Sequence, residues 1–261
     1  RIYFTSISNG ERYIMTQCEL EHPDRQINLP SGENVRDMGG YQTLDGHTTT
    51  WRVFVRSGDM DNLSGADQQA LIDYGITTVI DLRMRKERDT SPNVFAKSDT
   101  IDFRIHDFWG RRFDDYRSAN KTAPAYHKLG DLYCAGLKKS GFVMADIMET
   151  FAEANRSGYT FHCRSGKDRT GLVAMMLLSI AEVPEDVICA DYALTADYLQ
   201  HEAINPIEAN KPGIWQRTCE PETMAHTLGF LRREYGGPVA YLSKMGVRDE
   251  SLDSIKAKIV T

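Results

Sequence analysis

The segment from Tyr159 to Ile180 limits this chain more than any other. Tyr159, Thr160 and Phe161 are aromatic or β-branched and predict a short buried strand. A polar turn follows, Cys163-Arg164-Ser165-Gly166-Lys167-Asp168-Arg169, and the apolar run Leu172–Ile180 predicts a buried helix. A strand, a tight loop and a helix N-terminus in that order make an anion site. Successive backbone N–H groups of such a loop converge on one point, and the helix dipole adds partial positive charge there. Arg164, Lys167 and Arg169 set three cationic side chains against the one carboxylate of Asp168. Cationic surroundings favour the thiolate form of a cysteine, so Cys163 is the candidate nucleophile at the base of an oxyanion cradle. Phosphate or sulfate is the expected guest. An inert structural cysteine would leave three crowded cations without a purpose.

The five residues between Cys163 and Arg169 sharpen this reading. At that distance the arginine can lie across the cradle and grip two phosphoryl oxygens at once, which a lysine does less well. Loop residues Arg164, Ser165, Gly166, Lys167, Asp168 and Arg169 are all candidate phosphate contacts. His162 reads as a core histidine that orients the loop. Thr170 is placed to donate to the thiolate, or to assist hydrolysis of a phosphocysteine. No metal or cofactor is expected, because the loop carries its own cations.

With 261 residues, 41% of them hydrophobic, the chain can bury one sizeable core. A net charge of −6 argues against general nucleic-acid binding. No apolar run approaches the roughly 20 residues of a membrane-spanning helix, and no signal-peptide pattern opens the chain. A single domain over 1–261 is expected, in the cytoplasm or as a secreted effector. Five scattered cysteines, Cys18, Cys134, Cys163, Cys189 and Cys219, have no zinc spacing, and their odd number favours a reducing compartment.

Alternating positions around Asn9-Gly10 predict an N-terminal hairpin extension within residues 1–26. The stretch Asn34–Tyr41 has no clean period, but Gly39-Gly40 implies a tight backbone path. Strands are predicted at Thr50–Arg56, Ile76–Leu82 and Ile101–His106. Ser64 and Asp67, with Leu63 before them, predict a capped helix reaching about Tyr74. A charged turn is expected after Arg83. Residues 107–123, rich in aromatics and charge, read equally well as a lid or a solvated loop. Helices are predicted at 124–139 and 141–156, from Pro184 to about Gln200, and at 221–235, 238–245 and 249–259; 205–218 reads as irregular. Strands alternating with helices imply an α/β fold, with a mainly parallel sheet covered on both faces. The helical region 205–261 is expected to pack on the same body. The cysteine loop then lies at the carboxyl end of a strand, where such sheets bind ligands.

His162-Cys163-Arg164-Ser165-Gly166-Lys167-Asp168-Arg169-Thr170-Gly171 resembles the HCxxGKDRTG loop of the atypical bacterial tyrosine phosphatases. Secreted mycobacterial and Listeria enzymes with tyrosine and phosphoinositide phosphatase activity belong to that group. Asn34-Val35-Arg36-Asp37-Met38-Gly39-Gly40 is similar to its NxRDxGG signature. Val55-Arg56-Ser57-Gly58 and Ile80-Asp81-Leu82-Arg83 are similar to two internal motifs, and the likeness extends from about residue 27 to 259. The resemblance implies a cysteine-phosphatase fold, Cys163 as nucleophile, Arg169 as phosphate clamp and Asp81 near the cysteine. It also implies a phosphorylated protein or a phosphoinositide as substrate. Inositol lipids or soluble inositol phosphates are the alternative to phosphotyrosine, with Lys167 available to a second phosphate. A phospho-binding pseudophosphatase is a remote third reading, opposed by the intact Cys163 and Arg169. The Trp-Pro-Asp acid loop of the usual tyrosine phosphatases is absent. The general acid is therefore sought among Asp168 inside the loop, Asp107 at the head of the aromatic segment and Asp81 at a strand end, with Asp168 preferred.

Overall fold

Side-chain alternation builds the central sheet. In β4 (Phe54–Ser57) and β5 (Thr78–Asp81), Phe54 and Ile80 point to one face of the sheet and Val55 and Val79 to the other. In the computed structural model residues 5–8, 11–14, 20, 22–110, 129–153, 157–199 and 218–261 are described. Strands β1 (Thr5–Ser8) and β2 (Glu11–Ile14) pair antiparallel, with Ser8 opposite Glu11. The main sheet adds the two-residue β3 (Arg36–Asp37), β6 (Asp102–Ile105) and β7 (Tyr159–His162), in the order β3-β4-β7-β5-β6. All neighbours are parallel except β3 with β4. Register brings Ser57, His162, Asp81 and Ile105 to one level at the carboxyl edge. The segments that follow these strands, from Gly58, Cys163, Leu82 and His106, therefore emerge side by side.

One face of the sheet packs on α1 (Gly65–Tyr74), with Leu71, Ile76 and Phe95 in its core. Ser64 caps this helix by accepting from the Asp67 N–H at 3.1 Å, as the sequence predicts. The other face carries α3 (Leu129–Ala152) and α4 (Asp168–Ile180). From Leu172 to Leu178 every side chain of α4 is buried, so this helix is apolar all round. Its far side is covered by α8 (Pro238–Lys244) and α9 (Asp249–Ile259), while α7 (Pro221–Tyr235) packs on α3 and on α5 (Glu185–Ala193). Among the described residues no helix is long and apolar enough to cross a membrane.

Three local expectations are corrected and one is met. The charged turn after Arg83 is a helix, α2 (Arg85–Thr90), closed by Glu87 accepting from the Met84 N–H at 2.7 Å. The two helices predicted on either side of residue 140 do meet at a break: Ser140 leaves helical geometry (φ −114°, ψ 20°), and α3 is two helical segments joined at that kink, where Gly141 packs closely on Met245 and Tyr241. The helix after Pro184 divides into α5 and the short α6 (Thr195–Tyr198). Strand β4 starts late because Arg52 takes φ 66° while its N–H donates to Asp37 at 2.8 Å. Most of 107–123, the start of the helix predicted from 124, and 205–217 lie outside the described residues.

Candidate active site

Three consecutive carbonyls of the cysteine loop are tied from outside. Arg164 O accepts from the Asp59 N–H at 2.8 Å, Ser165 O from Asn34 Nδ2 at 2.9 Å, and Gly166 O from Arg56 Nη2 at 2.9 Å. In a trans peptide the N–H lies opposite the C=O. The N–H groups of Ser165, Gly166 and Lys167 consequently face away from these anchors. Gly166 permits the turn, because its φ is 68° and a Cβ there would lie 2.6 Å from Ser57 O. Cys163 is buried at the mouth of this turn, and α4 begins five residues later.

The anchors come from the Asn34–Tyr41 stretch and its partners. Asn34 Oδ1 accepts from Arg36, which fixes the amide so that Nδ2 faces the loop. Arg36 and Arg56 both reach Asp191 on α5, at 3.3 and 2.5 Å. Tyr41 donates to the same carboxylate at 3.0 Å. Burial alone would raise the Asp191 pKa, but the two guanidiniums hold it well below the usual carboxylate range. Gly39 and Gly40 give the tight path the sequence implies, since a Cβ at either would collide with Trp51.

On the other side of Cys163, Phe95 N–H donates to Asn93 Oδ1, so Asn93 Nδ2 is the group that meets His162 Nε2 at 2.8 Å. That leaves the His162 proton on Nδ1, which donates to Cys163 O at 3.2 Å. Burial lowers the His162 pKa and keeps the ring neutral. Asp81 faces Arg83, accepting from its Nη2 at 2.7 Å and its backbone N–H at 2.9 Å. Arg83 in turn donates to Asp59 at 2.6 Å. Burial pushes the Asp81 pKa up, yet the charge and hydrogen bonds of Arg83 pull the carboxyl below its ordinary value. The geometry makes Asp81 a brace between the strand ends.

Arg169 stands in the first turn of α4. Its Nη1 and Nη2 donate to the two oxygens of Glu87 at 2.5 and 2.9 Å, and Nε has no partner among the described residues. Burial alone would lower the Arg169 pKa, but Glu87 and Cys163 raise it above the ordinary arginine value. Burial pushes the thiols of Cys134 and Cys189 up to about 12 and that of Cys219 up to about 11. These three remain thiols at neutral pH and are poor nucleophiles.

Residues 27–261 match the model of the tyrosine phosphatase family. The chain belongs to the tyrosine phosphatase family. It is 30% identical over 219 residues to a tyrosine-protein phosphatase of Nostoc commune, covering 79% of this chain and 74% of that protein. It is 26% identical over 258 residues to the triple specificity protein phosphatase PtpB of Mycobacterium tuberculosis, covering 88% and 87%. The protein is thus a phosphoric monoester hydrolase acting on phosphorylated substrates.

The acid candidates of this tyrosine phosphatase separate by position. Asp168 opens α4 and accepts from Tyr133 Oη at 2.6 Å through Oδ1, which also lies 3.6 Å from Lys167 Nζ. Its Oδ2 accepts no hydrogen bond among the described residues, and the side chain is 30% exposed. Asp107 instead accepts from the N–H groups of Arg85 and Gly110, at 3.1 and 2.8 Å. Lys167 is buried, with Nζ donating to Thr218 O at 3.3 Å. Arg164 is exposed and Ser165 half-buried. Thr170 Oγ1 is buried without a partner among the described residues, so the expected bond to the cysteine sulfur is not formed. Glu87, Asn93 and Asp191 escape the sequence reading. For Asp191 a signal existed, a carboxylate inside the apolar run Val187–Ala193; Glu87 and Asn93 left none.

Proposed function

We propose that this chain is a cysteine-dependent tyrosine phosphatase of broad specificity, with Cys163 as nucleophile. The observation that carries the reading is the outward anchoring of the Arg164, Ser165 and Gly166 carbonyls, which turns three N–H groups inward around a buried cysteine. In the first displacement the Cys163 thiolate forms an S–P bond as the ester P–O bond breaks, and Asp168 gives its proton to the leaving oxygen. The loop N–H groups and the free Nε edge of Arg169 hold the remaining phosphoryl oxygens as their charge changes. In the second, water attacks phosphorus, Asp168 takes a proton from it, the S–P bond breaks and phosphate leaves. Turnover of p-nitrophenyl phosphate tests the reading directly; a folded protein that binds phosphate without turning it over would make it a pseudophosphatase.

Asp168 is assigned the acid role by its open Oδ2 and its place within the loop, and Asp81 a bracing role. Asp168→Asn is expected to slow phenyl phosphate far more than p-nitrophenyl phosphate, whose leaving group needs little protonation, and to flatten the basic limb of the pH–rate profile. If Asp107→Asn does this and Asp168→Asn does not, the acid lies on the aromatic segment.

Substrate choice turns on Lys167. A second phosphate of an inositol headgroup would reward a free ammonium, but Lys167 is turned toward Thr218 O and Asp168. It therefore serves to hold Asp168. Lys167→Met should lower kcat/KM for a phosphotyrosine peptide and for a polyphosphorylated inositol lipid by the same factor. A loss roughly tenfold greater on the lipid, the size of a charge-assisted contact, would restore the phosphoinositide reading.

A further inference from the structure

Two buried guanidiniums share one carboxylate beneath the loop. Arg36 and Arg56 are fully buried, and both oxygens of the equally buried Asp191 are taken by them. Among the described residues neither arginine pairs with another acid, so the cluster keeps one positive charge unbalanced. Buried charge of that kind is costly unless something answers it. The two arginines differ in reach. Beyond Asp191 Oδ1, Arg36 donates to Asn34 Oδ1, Asp191 O and Thr195 Oγ1, all outside the cysteine loop. Arg56 places Nη1 on Asp191 and Nη2 on Gly166 O, while its Nε has no partner among the described residues.

The peptide that Arg56 holds is the one most able to turn over. Gly166, at φ 68°, lacks the side chain that would restrict it. Rotation of the Gly166–Lys167 peptide would replace an inward N–H by an inward carbonyl and repel an anion. Resting on the phosphatase reading above, we propose that Arg56 is a positioning residue of the phosphate loop. It keeps the Gly166 carbonyl outward and the Lys167 N–H toward the phosphoryl group, and the bound anion balances the charge that Asp191 leaves over.

Lysine at this position keeps the charge but cannot span Asp191 and Gly166 O together. Inorganic phosphate is the probe, used as a competitive inhibitor of p-nitrophenyl phosphate turnover and as a titrant of the isotope-labelled full chain in amide NMR. In the wild type the Lys167 amide proton should move downfield as phosphate saturates. The phosphate inhibition constant should rise roughly tenfold or more in Arg56→Lys, and further in Arg56→Met. The folded variants should lose the Lys167 amide response, which a purely structural arginine would leave intact. A wild-type inhibition constant in Arg56→Lys, or a wild-type Lys167 amide indifferent to saturating phosphate, would overturn the proposal. Should the variants not fold, the wild-type titration decides alone. A wild type that binds no phosphate overturns the loop assignment itself, and this inference with it.

Discussion

Cys163→Ser is expected to abolish turnover of p-nitrophenyl phosphate while leaving inorganic phosphate bound at close to wild-type affinity. The cradle is assembled from Asp59, Asn34 and Arg56 acting on three backbone carbonyls, and none of these contacts uses the cysteine sulfur. Replacing sulfur by a hydroxyl therefore removes the nucleophile and keeps the anion site. No described cysteine can substitute for it, because burial keeps Cys134, Cys189 and Cys219 protonated. Calorimetric titration with phosphate and a rate measurement on the same preparation check both halves. Residual turnover above about 1%, more than an essential nucleophile allows, would remove Cys163 from the mechanism. Loss of phosphate affinity together with turnover would mean that the sulfur helps to hold the loop.

Much of this site was legible because its central chemistry is local. Cysteine, glycine, lysine, aspartate and arginine lie within one strand–loop–helix unit, and neighbours in sequence must there be neighbours in space. The alternation of predicted strands with helices likewise implied a sheet covered on both faces, and Phe54 and Ile80 on one side with Val55 and Val79 on the other bear it out. What stayed hidden acts over distance. Asn34 and Ser165 are 131 residues apart, Arg56 and Asp191 are 135, and Arg169 and Glu87 are 82. Such pairs leave no periodic trace, and a carboxylate set in an apolar run, as Asp191 is, hints at burial without naming its partner. Glu87 was hidden twice, since α2 contains no apolar residue from which a helical period could be read. Its capping contact with Met84 is local, but its grip on Arg169 comes from tertiary placement. Lys167 shows the same limit from the other side. Its charge read as available to a ligand, whereas the fold turns its ammonium onto Thr218 and Asp168.

Arg169→Lys is the other substitution with a large expected effect, a fall in kcat of roughly a hundred- to a thousandfold, the scale seen when one preorganised oxyanion donor is removed. Glu87 takes the Nη1 and Nη2 side of the guanidinium, and Nε is the edge proposed above for the phosphoryl group. A lysine has one ammonium for both tasks, and Glu87 would capture it. Arg169 stays protonated at every practical pH because its pKa is raised, so the alkaline limb of the rate profile does not report it. On the acid side the partner does titrate. Burial pushes the Glu87 pKa up, but Arg169 and the Met84 N–H outweigh it and lower the folded value. The clamp's contribution is therefore complete above the unfolded glutamate value of about 4.3, and is lost as pH falls through the lower folded value. Glu87→Gln should cost less than Arg169→Lys at pH 7, since the guanidinium keeps its fork but loses a charged partner. If Glu87 acts only through Arg169, the two effects cannot add. Introducing Glu87→Gln into Arg169→Lys should then cost nothing further, or should recover part of the rate by releasing the captured ammonium. An additive loss in the double variant would show that Glu87 has a separate task in the site.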